Sequence, residues 1–229
     1  MPTPVIRQSS LVLPTRAQPK RVPGGPSFVQ TKQVELSAPA PSITVSFEKP
    51  VTPGNFIAIS FVHQNGGSAT SVVNDKGDTY TDWGGGLITD GAAAMTAGAF
   101  LVTTPGAISV TVTLSPDMFS DMSIREVAGL TNPVFDRVLG AVNSGAILHS
   151  SGFTSPLISA SEVAIAHAAG QTAVTSLNPP FLPDVGSPRP GLGSAAAHLV
   201  PQSAAPLEYS VNCTGTNTLA MIIATLRSS

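Results

Sequence analysis

The chain has 229 residues, of which only 10% are charged, with 21 glycines, 21 prolines, one cysteine and a formal net charge of −2. So low and balanced a charge excludes a global basic field for nucleic acid and an acidic tail, and a lone cysteine excludes an intramolecular disulfide framework. The length suits one large all-β domain or two small ones, and the scarcity of charge suits either tightly packed strands or a surface covered by partners.

Residues 1–27 carry six prolines and the Gly24-Gly25 pair. That composition disfavours helix and predicts an extended, polyproline-like arm with no core of its own. The arm holds Arg7, Arg16, Lys20 and Arg21 without an acid, a local +4, so the rest of the chain carries −6. Two apolar islands, Val5-Ile6 and Leu11-Val12-Leu13, suit docking in grooves of another protein. The repeated prolines also break any continuous apolar core of the signal-peptide kind, predicting a chain not exported by that route.

The body, residues 28–229, reads as β throughout. Residues 28–36 form its first strand. In 42–47, Ile43, Val45 and Phe47 alternate with Ser42, Thr44 and Ser46, the period-2 mark of a strand with one buried side. After the Pro53-Gly54 turn, Ile57, Ile59 and Phe61 repeat the pattern against Ala58 and Ser60. A short strand at 71–73 enters a polar turn at 74–78. Further strands follow at 95–102, 108–114, 118–127, 134–139, 162–169, 194–200, 208–213 and 218–227, the last apolar on both faces. About a dozen short strands punctuated by turns predict an antiparallel β-sandwich, jelly-roll-like, behind the arm. No internal repeat stands out in the residues. Residues 178–193, rich in proline, form the longest loop of the body, a length typical of mobile or functional loops.

Two segments carry a family resemblance. The run Pro50-Val51-Thr52-Pro53-Gly54-Asn55, an apolar strand, and then Ser71-Val72-Val73-Asn74-Asp75-Lys76-Gly77-Asp78-Thr79-Tyr80 resembles a β-sandwich domain of phage virion proteins and secreted bacterial proteins. Glu126-Val127-Ala128-Gly129-Leu130-Thr131-Asn132-Pro133 is similar to a later turn of that domain. The resemblance implies an accessory, adhesive or virion structural module. The basic arm lies outside it and looks like the arms by which capsid decoration and cement proteins hold neighbouring subunits.

Site chemistry is sparse in the sequence. His63, His149, His167 and His198 show no metal-ligand spacing, so no metal and no cofactor are expected. Asp75, Asp78 and Asp82 crowd oxygens near one turn, where turn stabilisation outweighs calcium. No nucleophile elbow is present, although a triad assembled from distant positions stays open. Cys213, in an alternating stretch, reads as a buried inert thiol.

The resulting expectation is a non-enzymatic virion structural protein, a capsid decoration or cement protein. It would sit in the virion, assembled in the host cytoplasm, and bind the major capsid protein or other virion subunits. The contacts expected in the arm are Val5, Ile6, Arg7, Leu11, Leu13, Arg16, Lys20 and Arg21. A homo-oligomer, a trimer for instance, suits such a lattice, with no nucleic acid or membrane as partner. The alternative is a tail, fibre or secreted adhesive module that holds a cell-surface glycan through Tyr80, Trp83 and the 178–193 loop.

Overall fold

The computed structural model describes residues 25–64, 67–82, 88–89, 93–159, 161–170, 172–188, 193–215 and 217–229. The arm contacts expected from Val5 to Arg21, and Trp83, lie outside the described residues. Within them the strands are β1 (Ser27–Glu35), β2 (Ala40–Ser46), β3 (Phe56–Gln64), β4 (Ser68–Asn74), β5 (Tyr80–Asp82), β6 (Ile88–Thr89), β7 (Ala93–Leu101), β8 (Ser109–Met118), β9 (Ser120–Ala128), β10 (Pro133–Asn143), β11 (Leu148–Phe153), β12 (Glu162–Gly170), β13 (Val174–Leu177), β14 (Leu182–Pro183), β15 (Ser194–Leu199), β16 (Glu208–Cys213) and β17 (Leu219–Ser228).

These strands make four sheets. The inner N-terminal sheet runs β1-β9-β3-β7-β5, with β6 beside β7, and the outer N-terminal sheet runs β2-β8-β4. The inner C-terminal sheet runs β10-β17-β12-β15-β14, and the outer one β11-β16-β13. Both halves therefore share one strand order, with β10, β17, β12, β15 and β14 standing where β1, β9, β3, β7 and β5 stand. All pairings are antiparallel, and in each half the first strand pairs with the last and the second with the next to last. This is jelly-roll order. The all-β sandwich class follows the alternation in the sequence, but it occurs twice: the single sandwich expected over 28–229 is two sandwiches in tandem. The repeat that the residues conceal lies in the strand order.

Three cores separate four layers. Ile43, Val45, Ile57, Ile59, Phe61, Phe100, Val110, Val112, Met122 and Ile124 fill the N-terminal sandwich. Leu157, Phe181, Tyr209, Val211, Met221 and Ile223 fill the C-terminal one, with Ala164, Ala166 and Ala168. Between the two inner sheets lies a third core of Phe56, Ala58, Val62, Met95, Ala97, Val163, Ile165, Ala220, Ile222 and Leu226. The inner strands are consequently buried on both faces, as β9, β12 and β17 show along nearly their whole length. Sequence alternation assigns Ala58 and Ser60 to an open face, whereas both are fully buried against the second sandwich. Small side chains on that face let the two inner sheets pack closely.

The segments that carry the family resemblance are the joints of the N-terminal sandwich. Glu126 Oε1 accepts hydrogen bonds from the Thr52 backbone N–H (3.0 Å) and Asn55 Nδ2 (2.6 Å), and Oε2 accepts one from Gln30 Nε2 (2.7 Å). Asn74 Oδ1 accepts from the Asp78 N–H at 2.9 Å, and Asp78 Oδ1 accepts from Thr103 Oγ1 at 2.6 Å. Asp75 Oδ1 accepts from the N–H groups of Ile108 and Ser109. Both carboxylates are thus occupied in tying the β4–β5 turn to the β7–β8 region, the ordinary use of Asx residues at turns. Despite partial burial, these donors hold the carboxyls of Asp75 and Asp78 below the usual range. The long loop expected over 178–193 is anchored where it is described. It contains β14, buries Phe181 in the C-terminal core and sends Asp184 inward.

Candidate functional site

Two features stand apart from ordinary packing: a polar network inside the seam between the sandwiches, and a groove where that seam opens. The network begins on β9, whose alternation turns Met122 and Ile124 into the N-terminal core and Asp121, Ser123 and Arg125 toward the second sandwich. Facing them, β12 supplies His167, β15 supplies Ser194 and His198, and the segment after β14 supplies Asp184. β1 and β3 add Gln33 and Ser60.

Arg125 crosses the seam. Its Nη1 donates to Ser60 Oγ (2.9 Å), its Nη2 donates to the Ala166 carbonyl (3.1 Å), and Nη2 pairs with Asp184 Oδ2 at 2.6 Å, with both side chains fully buried. Asp184 also accepts from Ser123 Oγ (2.6 Å) and His198 Nδ1 (2.7 Å). Burial alone would raise the Asp184 carboxyl, but the Arg125 guanidinium and the His198 bond outweigh it and hold the group below the ordinary carboxylate range. Asp121 accepts from Gln33 Nε2 (2.9 Å to each oxygen) and Ser194 Oγ (2.7 Å). His167 places Nδ1 3.0 Å from Ser60 Oγ and Nε2 3.1 Å from Asp121 Oδ1. The Ser60–His167 bond can run in either direction, since a hydroxyl oxygen that accepts from Arg125 can still accept once more.

Ser60, His167 and Asp121 have the composition of a catalytic triad gathered from three distant strands. None of the three has more than a trace of exposure. Each is committed to a neighbour across the seam, and a substrate carbonyl has no route to the hydroxyl. Chemically the group is a buried polar tie between two sandwiches, in which Arg125 Nε and His167 Nε2 have no hydrogen-bond partner among the described residues. Sequence reasoning placed His167 on the face of Val163 and Ile165, which is correct, but gave no sign of Asp121, Arg125 or Asp184 as partners. The only available signal was the interruption of the apolar pattern in 118–127 by Asp121 and Arg125.

The network occupies one flank of the seam. Asp82, on edge strand β5, marks the other flank; it shares the face of Tyr80, which pairs with Phe100 and turns to the N-terminal core, not to the seam. Asp184 is buried, whereas Asp82 is exposed. On the Asp184 flank the chain closes the gap itself: Gln33 N–H donates to the Val185 carbonyl (2.8 Å) and Val185 N–H to Thr31 Oγ1 (3.0 Å). On the Asp82 flank the described residues border a groove of about 500 Å3, with apolar Phe56, Leu101, Pro133 and Leu226 on its walls beside polar Asp78, Thr79, Thr103 and Thr104. Leu101 points along the seam face yet stays 45% exposed, because the C-terminal sheet does not cover it there.

Of the remaining sequence candidates, Tyr80 lies across Gly98 and stacks on Phe100 (ring centroids 5.2 Å), so its ring belongs to the N-terminal core. Burial, with Asp82 nearby, raises its phenol above the usual range. Cys213 is buried, and burial raises its thiol. Among the described residues no group of three or more His, Cys, Asp or Glu side chains is arranged to hold a metal ion. No known family model, curated protein or solved structure matches the chain.

Proposed function

We propose that this chain is a virion structural protein, a capsid decoration or cement protein, whose paired sandwiches sit on the shell while the basic arm grips neighbouring subunits. The observation that carries this reading is the division between a net-acidic body, tied together by the buried Arg125–Asp184 pair across the seam, and a basic, proline-rich arm of opposite sign. Jelly rolls serve widely as capsid and lectin domains, a fold-level analogy consistent with the reading. The outer N-terminal sheet supports it too. Its solvent face carries uncharged hydroxyl pairs, Thr44 with Thr111 (2.8 Å) and Ser71 with Thr113 (3.0 Å), a face suited to close contact without desolvating charge. On a symmetric lattice the arm gains strength by multivalency. Density-gradient co-sedimentation with native particles tests the proposal: deletion of residues 1–24 should release the protein, and retention of the shortened chain would refute it.

One observation favours the adhesive alternative. Phe153 is 68% exposed on the outer C-terminal sheet and paired in register with Glu208, on a strand whose other end carries Asn212. An exposed ring in register with a carboxylate suits a sugar-binding face. Phe153→Ala should abolish binding on a glycan array under this reading, and the absence of any binding by the parent chain would eliminate it.

A further inference from the structure

Two acidic side chains are buried together where the chain enters β12. Glu162, the first residue of that strand, has no exposure, and the Asp136 side chain, at the bulge of β10, is 2% exposed. Glu162 Oε1 accepts from the Ser159 N–H at 2.8 Å, whereas Oε2 meets no hydrogen-bond donor among the described residues. The carboxyl groups of Glu162 and Asp136 nonetheless lie within hydrogen-bonding reach of each other. Two ionised carboxylates in that position only repel; a proton between them turns the contact into a hydrogen bond.

The surrounding charges decide which member carries the proton. Arg137 Nη1 on β10 (3.0 Å) and Arg227 Nε on β17 (3.7 Å) both turn to Asp136 Oδ1. Arg227 is the register partner of Glu162, yet its Nη1 donates to the Ser228 carbonyl. Glu162 receives neutral donors instead, the Ser159 N–H and the Thr225 hydroxyl. Burial, with Asp136 beside it, raises the Glu162 carboxyl above the usual range against the pull of those two donors.

The pair also holds a strap. Segment 154–159 leads from β11 toward β12, and three of its backbone groups depend on this cluster: the Ser159 N–H on Glu162, the Ile158 N–H on Asp136 Oδ2 (3.4 Å), and the Pro156 carbonyl on Arg137 Nη2 (3.5 Å). Between them Leu157 is buried in the C-terminal core, while Ile158 is 57% exposed.

We propose that Glu162 is protonated in the native protein and donates that proton to Asp136, making the pair a proton-dependent latch for the 154–159 strap. When the proton leaves, two buried carboxylates face each other, and the strain is relieved by withdrawing the strap and letting water reach Glu162. Because the closed state binds the proton more tightly than the open one, the latch is fully closed below the ordinary carboxyl range and weakens as pH rises through the folded value of Glu162. The direction is opposite to that of Asp184, whose carboxyl is lowered.

The test uses the full chain. Amide hydrogen exchange at Ile158 and Ser159 is followed by NMR from about pH 5 to 9, corrected for the intrinsic pH dependence of an unstructured peptide, in the parent and in E162Q. The carboxamide of E162Q keeps an acceptor for Ser159 and supplies a permanent donor to Asp136. In the parent, opening of the strap should rise by up to roughly tenfold per pH unit until the folded value of Glu162 is passed and then level off, while the core amides of β17 show no such rise. In E162Q opening should stay flat. A flat profile in the parent, or the same rise in E162Q, overturns the latch. Should E162Q fold poorly, the carboxyl carbon shift of Glu162 in the parent decides alone: a titration midpoint above about 4.3 is expected, and one at or below it overturns the assignment.

Discussion

Replacing Arg125 by methionine tests the claim that the seam is held by a buried ion pair. The substitution keeps the volume of the stem but removes the donors to Ser60 and Ala166 and leaves Asp184 buried without its cation. Removing one member of a buried pair costs about 3–5 kcal/mol, a large share of the roughly 5–15 kcal/mol by which domains are stable. At roughly 2–4 °C per kcal/mol for chains of this size, Arg125→Met should lower Tm by about 6–20 °C. Asp184→Leu should cost a similar amount. The double variant R125M/D184L should cost much less than the sum, since an apolar pair of matching shape can replace a buried ion pair at little loss. Guanidinium melts at pH 7 followed by both far-UV and near-UV circular dichroism supply the cycle. They also show whether the halves part company, because the parent should unfold in one transition and R125M in two. A cost below about 1 kcal/mol for either single variant, or additive costs in the double, would refute the reasoning.

Other outcomes follow from the same geometry. Asp184, Asp75 and Asp78 all have lowered carboxyls; their stabilisation is complete above the unfolded value near 3.9 and is lost as pH falls through the folded values. Denaturant midpoints should therefore drop steeply below about pH 4, and the slope there should be shallower in D184N; a pH-independent midpoint down to pH 2 would contradict this. Gly98→Ala drives a Cβ to within 2.2 Å of the Tyr80 hydroxyl and 2.4 Å of its ring, so displacement of the ring should cost about 1–3 kcal/mol; in the G98A/Y80A double variant, which lacks the ring, thermal melts should show a cost below the sum of the two single variants. Cys213 should resist thiol reagents in the native protein at pH 8 and react fully in denaturant, since burial both shields and raises it; rapid native labelling would place it elsewhere.

Much of the fold was legible because the outer sheets obey a local rule. Ile43, Val45 and Phe47, and likewise Val110, Val112 and Leu114, alternate with hydroxyl residues because one face meets a core and the other meets water. The inner sheets break that rule. β9 and β12 are buried on both faces, so their small and polar residues carry no signature of direction, and one sandwich was expected where two stand. Strands β11, β13 and β14 escaped notice because they are short, or interrupted by Gly152 and Pro183, which are poor strand formers. The turn segments were legible as turns, and the structure adds that Glu126 and Asp78 bind them to one another.

The sequence by itself determined the sandwich class, the opposite charge of arm and body, and the burial of Cys213 and of β17, since each follows from composition or from neighbours within a few residues. Tertiary structure alone decided that the sandwich is doubled, that Ser60, His167 and Asp121 meet, and that Arg125 pairs with Asp184. Ser60 and His167 lie 107 residues apart and Arg125 and Asp184 stand on opposite halves, and a charge inside the seam is tolerated only where a partner from the other sandwich arrives at hydrogen-bonding distance. No local pattern encodes that meeting, because it is fixed by which faces of two like-folded sheets come together.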